Sequence, residues 1–211
     1  MLEALSVGCV RGDRRLFSGV GFALAPGRLL RVAGANGSGK TSLLRILCGL
    51  LAPVEGEVRW NSAGIGSQRD EYHRNLLYIG HLNGLKDELS PLENLEVSAV
   101  LAGLPAGLEA RLAALGAFGL AASADAAVRH LSQGQRRRVA LARLALSAAV
   151  PLWILDEPFT ALDTHAVKHL ESLIAAHLGA GGMVVLTTHM EVSIAAADVL
   201  RLDLDGRGGR P

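Results

Sequence analysis

One segment restricts the fold of this chain more than any other, the glycine-rich run at residues 34–41. It reads Gly34-Ala35-Asn36-Gly37-Ser38-Gly39-Lys40-Thr41, which fits the pattern GxxxxGK[ST], and Ser42 follows it. An apolar run at residues 29–33 precedes the loop, and a helix-compatible stretch at residues 41–50 follows it. In that context the inward-facing amides and the positive end of the helix would bind phosphate. The alternative, a glycine turn without a ligand, is disfavoured by these flanking elements.

The side chains of the loop add chemistry to this backbone site. Lys40 places a full charge where the outer phosphates would lie, and Thr41 supplies a hydroxyl for Mg²⁺. The sequence therefore predicts a nucleotide-binding α/β fold with Mg²⁺ as a further ligand.

Short apolar runs alternate with helical segments along the chain, which favours a mostly parallel sheet covered by helices. Two antiparallel strands at the N-terminus would form an added edge, and an Ala- and Leu-rich stretch would form a helical insertion. The predicted strands lie at residues 2–8, 16–24, 29–33, 56–60, 76–80, 152–155 and 183–186, the insertion at 91–147, and a further helix at 164–178.

Composition excludes several classes of protein. Lys and Arg total 21 and Asp and Glu total 20 in 211 residues, so a general nucleic-acid binder is not expected. Cys9 and Cys48 are far apart, which favours two buried reduced thiols over a disulfide or a zinc site. We find no signal peptide and no membrane-spanning run, and we expect a cytosolic chain whose tail, residues 205–211, is frayed.

A second motif complements the glycine loop. Residues 152–155 form an apolar strand candidate, and Asp156 and Glu157 follow it directly. The carboxyl edge of a parallel sheet is where α/β proteins bind ligands, and successive strand side chains point in opposite directions. We therefore predict that Asp156 binds Mg²⁺ or its water and that Glu157 polarises the attacking water. A solvated turn is the alternative.

Three further motifs resemble those of the ABC-type ATPases. Leu131-Ser132-Gln133-Gly134-Gln135 resembles the signature LSGGQ, with Gln133 in place of the first glycine. Residues 160–163, ending in Asp163, resemble the D-loop, and His189 ends a strand as the switch histidine of that family does. The motifs follow the family order over nearly the whole chain.

The resemblance implies a P-loop NTPase fold in one domain, residues 1–211, with a helical subdomain at about residues 85–150. It also implies a head-to-tail homodimer in which Ser132, Gln133, Gly134 and Gln135 contact the ATP bound to the partner subunit. His189 would contact the γ-phosphate. Ser132 is a predicted N-cap, so an anion at the start of its helix would offset the charge of Arg136 to Arg138. For Arg137 or Arg138 alone, a solvated basic face is the favoured interpretation.

Within this family the chain is most similar to the ATP-binding subunits of the cytochrome c maturation haem exporter. Residues 78–86, 93–95, 136–143 and 152–161 carry that similarity. It implies a haem-transporting ATPase that lies peripherally on the cytoplasmic side of a bacterial inner membrane and binds integral membrane subunits of a haem-delivery complex. Residues 81–95 and the helical insertion would be the docking surface. A different cargo, or a nucleotide-dependent interaction module without hydrolysis, is the alternative.

Two positions depart from the family pattern. Arg11 stands near the place of the aromatic residue that stacks on adenine, and a guanidinium plane can also stack on a base. His81 stands at the Q-loop position in place of glutamine. It would lie near Mg²⁺ or donate a hydrogen bond, and a surface loop histidine is an equally weighted alternative.

Overall fold

The computed structural model describes residues 1–195 and 198–205, which form two β-sheets and six α-helices. Short 3₁₀ helices lie at Ala121–Ser123, Val128–His130 and Arg143–Leu146. The elements in chain order are β1 (Leu2–Arg11), β2 (Arg14–Leu24), β3 (Leu29–Ala33), α1 (Lys40–Leu47), β4 (Glu55–Trp60), β5 (Ala63–Gly64), α2 (Arg69–Arg74), β6 (Leu76–Ile79), α3 (Pro91–Leu101), α4 (Leu108–Ala117), α5 (Gln133–Ala142), β7 (Leu152–Leu155), α6 (Thr164–Gly179), β8 (Met183–Thr187) and β9 (Val199–Asp203).

The main sheet has the strand order β6-β7-β8-β3-β9, and every neighbouring pair is parallel. Every residue of β7 and β8 is buried, as expected for apolar strands covered on both faces. Parallel strands end at a common edge, so the chain segments that follow β3, β6, β7 and β8 meet there. The predicted α/β fold is confirmed, and this edge positions the candidate site.

The second sheet is antiparallel and has the order β2-β1-β4-β5. The predicted N-terminal antiparallel strands are thus confirmed, and with β4 and β5 they form a sheet of their own. Leu43, Leu44, Ile46 and Leu47 of α1 are buried in one core cluster with residues of both sheets. The helix after the glycine loop therefore lies in the hydrophobic layer that joins the two sheets.

The described residues between β6 and β7 form helices and turns and contain no strand, as the sequence predicted. Helix α3 begins with a capping box, in which the Ser90 hydroxyl accepts from the Glu93 amide and the Glu93 carboxylate accepts from the Ser90 amide. Leu115, Phe118 and Val139 pack in the second core cluster with Trp153 of β7. The helical segment is thereby anchored on the strand that carries the two acids.

Three short elements were not predicted: α2, β5 and β9. Helix α2 has a single buried residue, Tyr72, whose hydroxyl donates to the Leu47 carbonyl at 2.6 Å. One apolar residue gives no helical period, so no sequence signal was available. Strand β9 pairs with β3 at the edge of the main sheet. Its alternating residues, Val199 to Asp203, did carry the strand pattern.

Both cysteines are free and buried, in agreement with the prediction of reduced thiols. Burial raises the pKa of the Cys48 thiol, which keeps it protonated. The described part of the chain includes no helix long and apolar enough to cross a membrane. Within the same residues no group of three or more His, Cys, Asp or Glu side chains is arranged to bind a metal ion.

Candidate functional site

The glycine loop, residues 34–41, leads directly into α1. Gly39 is the N-cap with φ 101°, and a Cβ there would lie 2.9 Å from Cδ1 of Phe17, so only glycine fits. The Lys40 Nζ donates to the Gly34 carbonyl at 2.7 Å and to the Ala35 carbonyl at 3.1 Å. The Ser38 hydroxyl is buried and has no hydrogen-bond partner within residues 1–195 and 198–205. An ammonium, an unpartnered hydroxyl and a helix start at one place fit a phosphate group.

One contact to the loop comes from the far end of the chain. The Ala35 amide donates to the carboxylate of Asp205, at 2.9 Å from Oδ1 and 3.1 Å from Oδ2. Asp205 lies in the turn after β9, and the neighbouring Leu204 amide donates to the Ala33 carbonyl. The prediction of a frayed tail is wrong for Asp205, because the edge strand β9 directs it to the loop. Residues 206–211 lie outside the described residues.

Asp156 connects the glycine loop to the end of β7. It is 2% exposed, and its Oδ2 accepts from the Thr41 hydroxyl at 2.8 Å. Its Oδ1 accepts from the Thr187 hydroxyl at 2.8 Å. A carboxylate and a hydroxyl oxygen side by side are ligands that Mg²⁺ accepts together with phosphate oxygens and water. The donor set at this point therefore fits Mg²⁺.

Glu157 adopts a backbone conformation that a residue with a side chain rarely adopts. Its φ is 46°, in the left-handed region, which costs on the order of 1–3 kcal/mol for a non-glycine residue. Its amide donates to the Thr187 hydroxyl at 2.8 Å. Its Oε1 is buried without a hydrogen-bond donor in the described chain, and the His189 Nε2 lies 3.3 Å away. This carboxylate oxygen is available to a polar ligand.

The arginines at the start of α5 do not form a solvated face, so that prediction is wrong. Arg137 is 5% exposed, and its guanidinium donates to the carbonyls of Asp156 at 2.8 Å and Glu157 at 2.9 Å. The Arg138 side chain is 20% exposed and donates to the Phe118 carbonyl. Arg137 bonds the segments that follow β6 and β7, and Arg138 bonds the end of α4, so protein acceptors replace water around both guanidinium groups.

A cavity of about 580 Å³ joins the loop to the acids. The residues from sequence-predicted motifs that line it are Arg11, Asn36, Gly37, Gly39, Lys40, Thr41, Ser42, His81, Asp156, Glu157, Thr160 and His189. The structure therefore brings together five segments that are separate in sequence. Arg11 and His81 are both exposed and both reach the cavity, which leaves either interpretation of His81 open.

The signature residues lie elsewhere: among the described residues that line this cavity, none comes from positions 131–135. Ser132 is the N-cap of α5 and forms a capping box with Gln135, as the sequence predicted for the cap. A Cβ at Gly134 would lie 2.9 Å from the Ala161 carbonyl oxygen, so glycine allows α5 to approach the D-loop. Ser132 and Gln133 are exposed and do not line the chain's own nucleotide cavity.

Asp163 has a structural contact that the sequence analysis did not consider. Its carboxylate caps α6 by accepting from the Ala166 amide at 2.8 Å, and the Arg138 guanidinium lies 3.4 Å away. The amide hydrogen bond, and then the arginine, lower the pKa of Asp163. The residue therefore remains ionised at the start of the helix.

Sequence reasoning did not find Thr187, Arg137 and Asp205 as parts of the site. Thr187 is the last residue of β8, and only the neighbouring His189 was singled out there. A threonine at the carboxyl end of a buried strand beside an Asp-Glu strand end was the signal that could have found it. Arg137 and Asp205 carried no such signal, because their contacts depend on tertiary packing.

Comparison with known proteins decides the family. The profile of the ABC transporter family matches residues 17–160. The cytochrome c biogenesis ATP-binding export protein CcmA of Nitrosospira multiformis is 52% identical over 203 residues, 96% of this chain and 98% of the relative. The CcmA of Dechloromonas aromatica is 53% identical over 204 residues, 97% of this chain and all of the relative. The chain belongs to the ABC transporter family, in its CcmA branch.

Solved structures agree with this placement in the ABC transporter family. A dimeric bacterial ABC transporter cassette superposes with a TM-score of 0.79 at 26% identity, over 97% of this chain and 95% of that chain. The ATP-binding subunit of another ABC transporter superposes with a TM-score of 0.80 at 26% identity, over 90% of this chain and 80% of that one. The expected ABC ATPase fold is confirmed.

Proposed function

We propose that this chain is the ATP-hydrolysing subunit of an ABC-type membrane complex that acts in haem export or haem-chaperone release during cytochrome c biogenesis. The observation that carries the proposal is the single cavity in which Lys40 and Thr41 meet Asp156, Glu157 and His189. Near full-length identity to cytochrome c biogenesis ATP-binding export proteins supports the biological role.

Hydrolysis at this cavity would proceed by in-line attack of water on the γ-phosphate. Lys40 would contact the outer phosphates and offset the charge that develops there. Glu157 would accept a hydrogen bond from the attacking water with its unpartnered Oε1, and His189, 3.3 Å from that atom, would contact the γ-phosphate. Arg11, at the cavity margin, would stack on adenine.

Thr41 and Asp156 would hold Mg²⁺, because their oxygen atoms already lie 2.8 Å apart. The ion would neutralise charge on the phosphate oxygens. His81 lines the same cavity and would contribute a hydrogen bond near that point in place of the usual glutamine.

A second copy of the chain would complete the site. Ser132, Gln133, Gly134 and Gln135 do not line the cavity of their own chain, yet α5 begins at an exposed, capped serine. A two-fold axis would place that helix start against the ATP of the partner subunit, with Asp163 at the same interface. A solved relative of the same fold is a dimer, which supports this arrangement.

Integral membrane subunits of a haem-delivery complex are the proposed partners, at the cytoplasmic face of a bacterial inner membrane. Residues 81–95 and the helical segment that follows present apolar side chains to solvent: Leu82 is 85% exposed and Leu101 is 82% exposed. Val97, Val100 and Leu101 are exposed at helical spacing on one face of α3, and a contiguous exposed apolar patch is typical of an interaction surface. Closure of the ATPase dimer would move the partners bound there.

Affinity purification of the chain from bacterial membranes, combined with phosphate-release assays, tests the proposal. We expect haem-handling membrane proteins to co-purify, and ATP turnover by the purified complex. Co-purification of unrelated transport subunits would indicate a different cargo. ATP binding without phosphate release, with and without the membrane partners, would favour the nucleotide-dependent interaction module instead.

A further inference from the structure

The acid turn, residues 156 and 157 after β7, is bonded from both sides by two buried side chains. We propose that Thr187 and Arg137 form a positioning clamp that sets the direction of the Glu157 carboxylate for hydrolysis. The inference rests on the proposed ATPase function. Neither residue lines the nucleotide cavity within the described chain, so both would act through the acids.

Thr187 uses a single hydroxyl for two bonds. It is completely buried; its Oγ1 donates to Asp156 Oδ1 at 2.8 Å and accepts from the Glu157 amide at 2.8 Å. The donor and acceptor functions of one atom thus connect the carboxylate of the first acid to the backbone of the second. Valine has the same shape and makes neither bond.

Arg137 bonds the backbone carbonyl groups of the same two residues. Its Nη2 donates to the Asp156 carbonyl at 2.8 Å and to the Glu157 carbonyl at 2.9 Å. Burial lowers the pKa of Arg137, while the charges of Asp156 and Glu157 act in the opposite sense. A guanidinium remains charged under such burial, so it donates to both carbonyls throughout the physiological range.

The conformation of Glu157 explains why two bonds are needed. With φ at 46°, its backbone lies in a region that side chains disfavour, and tertiary contacts must maintain it. Thr187 bonds its amide and Arg137 bonds its carbonyl, so both peptide groups are fixed. Fixing both peptide groups sets the direction of the Cα–Cβ bond, from which the Glu157 carboxylate extends to place Oε1 3.3 Å from the His189 Nε2.

Arg137 also reaches the segment that contains His81. Its Nη1 donates to the Gly80 carbonyl at 2.9 Å and to Asn83 Oδ1 at 3.2 Å. One guanidinium therefore connects the signature helix α5, the acid turn and residues 80–83. Movement of residues 80–83 would be transmitted to Glu157 through this side chain.

The decisive experiment compares Thr187→Val with Thr187→Ser in the full-length protein. The valine variant loses both bonds, and we expect kcat for ATP hydrolysis to fall by about tenfold or more, with KM for ATP within about twofold of wild type. The serine variant keeps the hydroxyl and should retain most of kcat. Melting temperature is measured for both, because a purely structural role would change stability without separating kcat from KM.

A binding measurement supplies a readout besides activity. Fluorescent ATP analogue binding is titrated with Mg²⁺. Thr187→Val should raise the Mg²⁺ concentration for half-maximal binding by about threefold, since Asp156 loses one of the two hydroxyl groups that donate to its carboxylate. Thr187→Ser should not change it. If wild-type protein releases no phosphate, the proposed hydrolysis fails, and this titration alone decides the clamp.

Arg137→Lys gives a second test if the valine variant does not fold. Lysine keeps the positive charge but lacks the planar guanidinium that donates to Asp156, Glu157 and Gly80 together. We therefore expect kcat to fall severalfold with KM for ATP unchanged. An unchanged kcat in Thr187→Val or in Arg137→Lys would overturn the clamp. So would equal losses in Thr187→Val and Thr187→Ser, or a rise in KM at constant kcat.

Discussion

The glycine loop and the acid turn lie against the same cavity but are stabilised in different ways. In the loop, Lys40 donates to the carbonyls of Gly34 and Ala35, only six and five residues away. The acid turn depends on partners that are distant in sequence: Thr187 on the neighbouring strand and Arg137 on the signature helix. The ammonium of the loop is therefore held by contacts within the motif, whereas the turn forms only when the whole sheet and α5 are in place.

The largest effect is expected from the loop. Lys40→Ala removes the ammonium that would contact the outer phosphates, and we expect ATP affinity to fall by about 10- to 100-fold. Phosphate release should fall by about 100-fold or more. Equilibrium binding of a fluorescent ATP analogue and steady-state phosphate release measure the two effects.

Lys168→Ala is the matched control, because Lys168 is an exposed lysine of α6 outside the cavity. It should bind and hydrolyse ATP as the wild type does. Full-strength ATP affinity in Lys40→Ala would show that local geometry does not make the loop a phosphate site, and the contrast between the two regions would disappear.

A smaller effect tests a distant contact of the loop backbone, the bond from the Ala35 amide to Asp205. Asp205→Ala removes the acceptor for the Ala35 amide, and we expect ATP to bind about threefold more weakly, as for one exposed hydrogen bond. Asp205→Asn keeps an acceptor oxygen and should bind within about twofold of wild type. Isothermal titration calorimetry measures both. A loss as large as that of Lys40→Ala would mean that the loop, like the turn, depends on distant contacts.

The last effect concerns folding stability and not ATP binding, and it arises at a histidine that packs behind the strand of the two acids. His177 is buried and stacks on Trp153 of β7 with ring centroids 3.7 Å apart. Burial lowers its pKa from 6.5, so below that pH the unfolded chain binds a proton that the folded chain does not. The free energy of unfolding is therefore unaffected by His177 protonation above pH 6.5, and it decreases as the pH falls from 6.5 through the pKa of His177 in the folded chain.

His177→Phe keeps an aromatic ring on Trp153 and removes the titration. Between pH 7.5 and 5.5 its free energy of unfolding should fall less than that of wild type, by up to about 1.4 kcal/mol per pH unit. Urea unfolding at the two pH values measures the difference within each protein. Identical pH dependence in both proteins would show that His177 does not couple protonation to stability.

The sequence predicted the structure of the glycine loop more completely than that of the acid turn. The loop, the strand before it and the helix after it were predicted because glycine spacing and apolar runs are local signals. The positions of Asp156 and Glu157 at the sheet edge followed from the apolar strand before them. The left-handed backbone of Glu157 and its bonds to Thr187 and Arg137 did not follow, because they depend on which strands and helices become neighbours.

Arg137 illustrates the limit most clearly. Three consecutive arginines at a helix start are typical of a solvated face, and the free energy cost of burying a guanidinium supports that interpretation. The structure buries Arg137 nonetheless, because four acceptors at 2.8–3.2 Å replace its water. A single sequence contains no record of those acceptors.

The central claim is that ATP bound at the glycine loop is hydrolysed with the help of the carboxylate of Glu157. The most direct measurement is phosphate release by Glu157→Gln, with ATP analogue binding measured on the same preparation. We predict binding within about twofold of wild type and phosphate release reduced by about 100-fold or more. Wild-type turnover in Glu157→Gln would contradict the account.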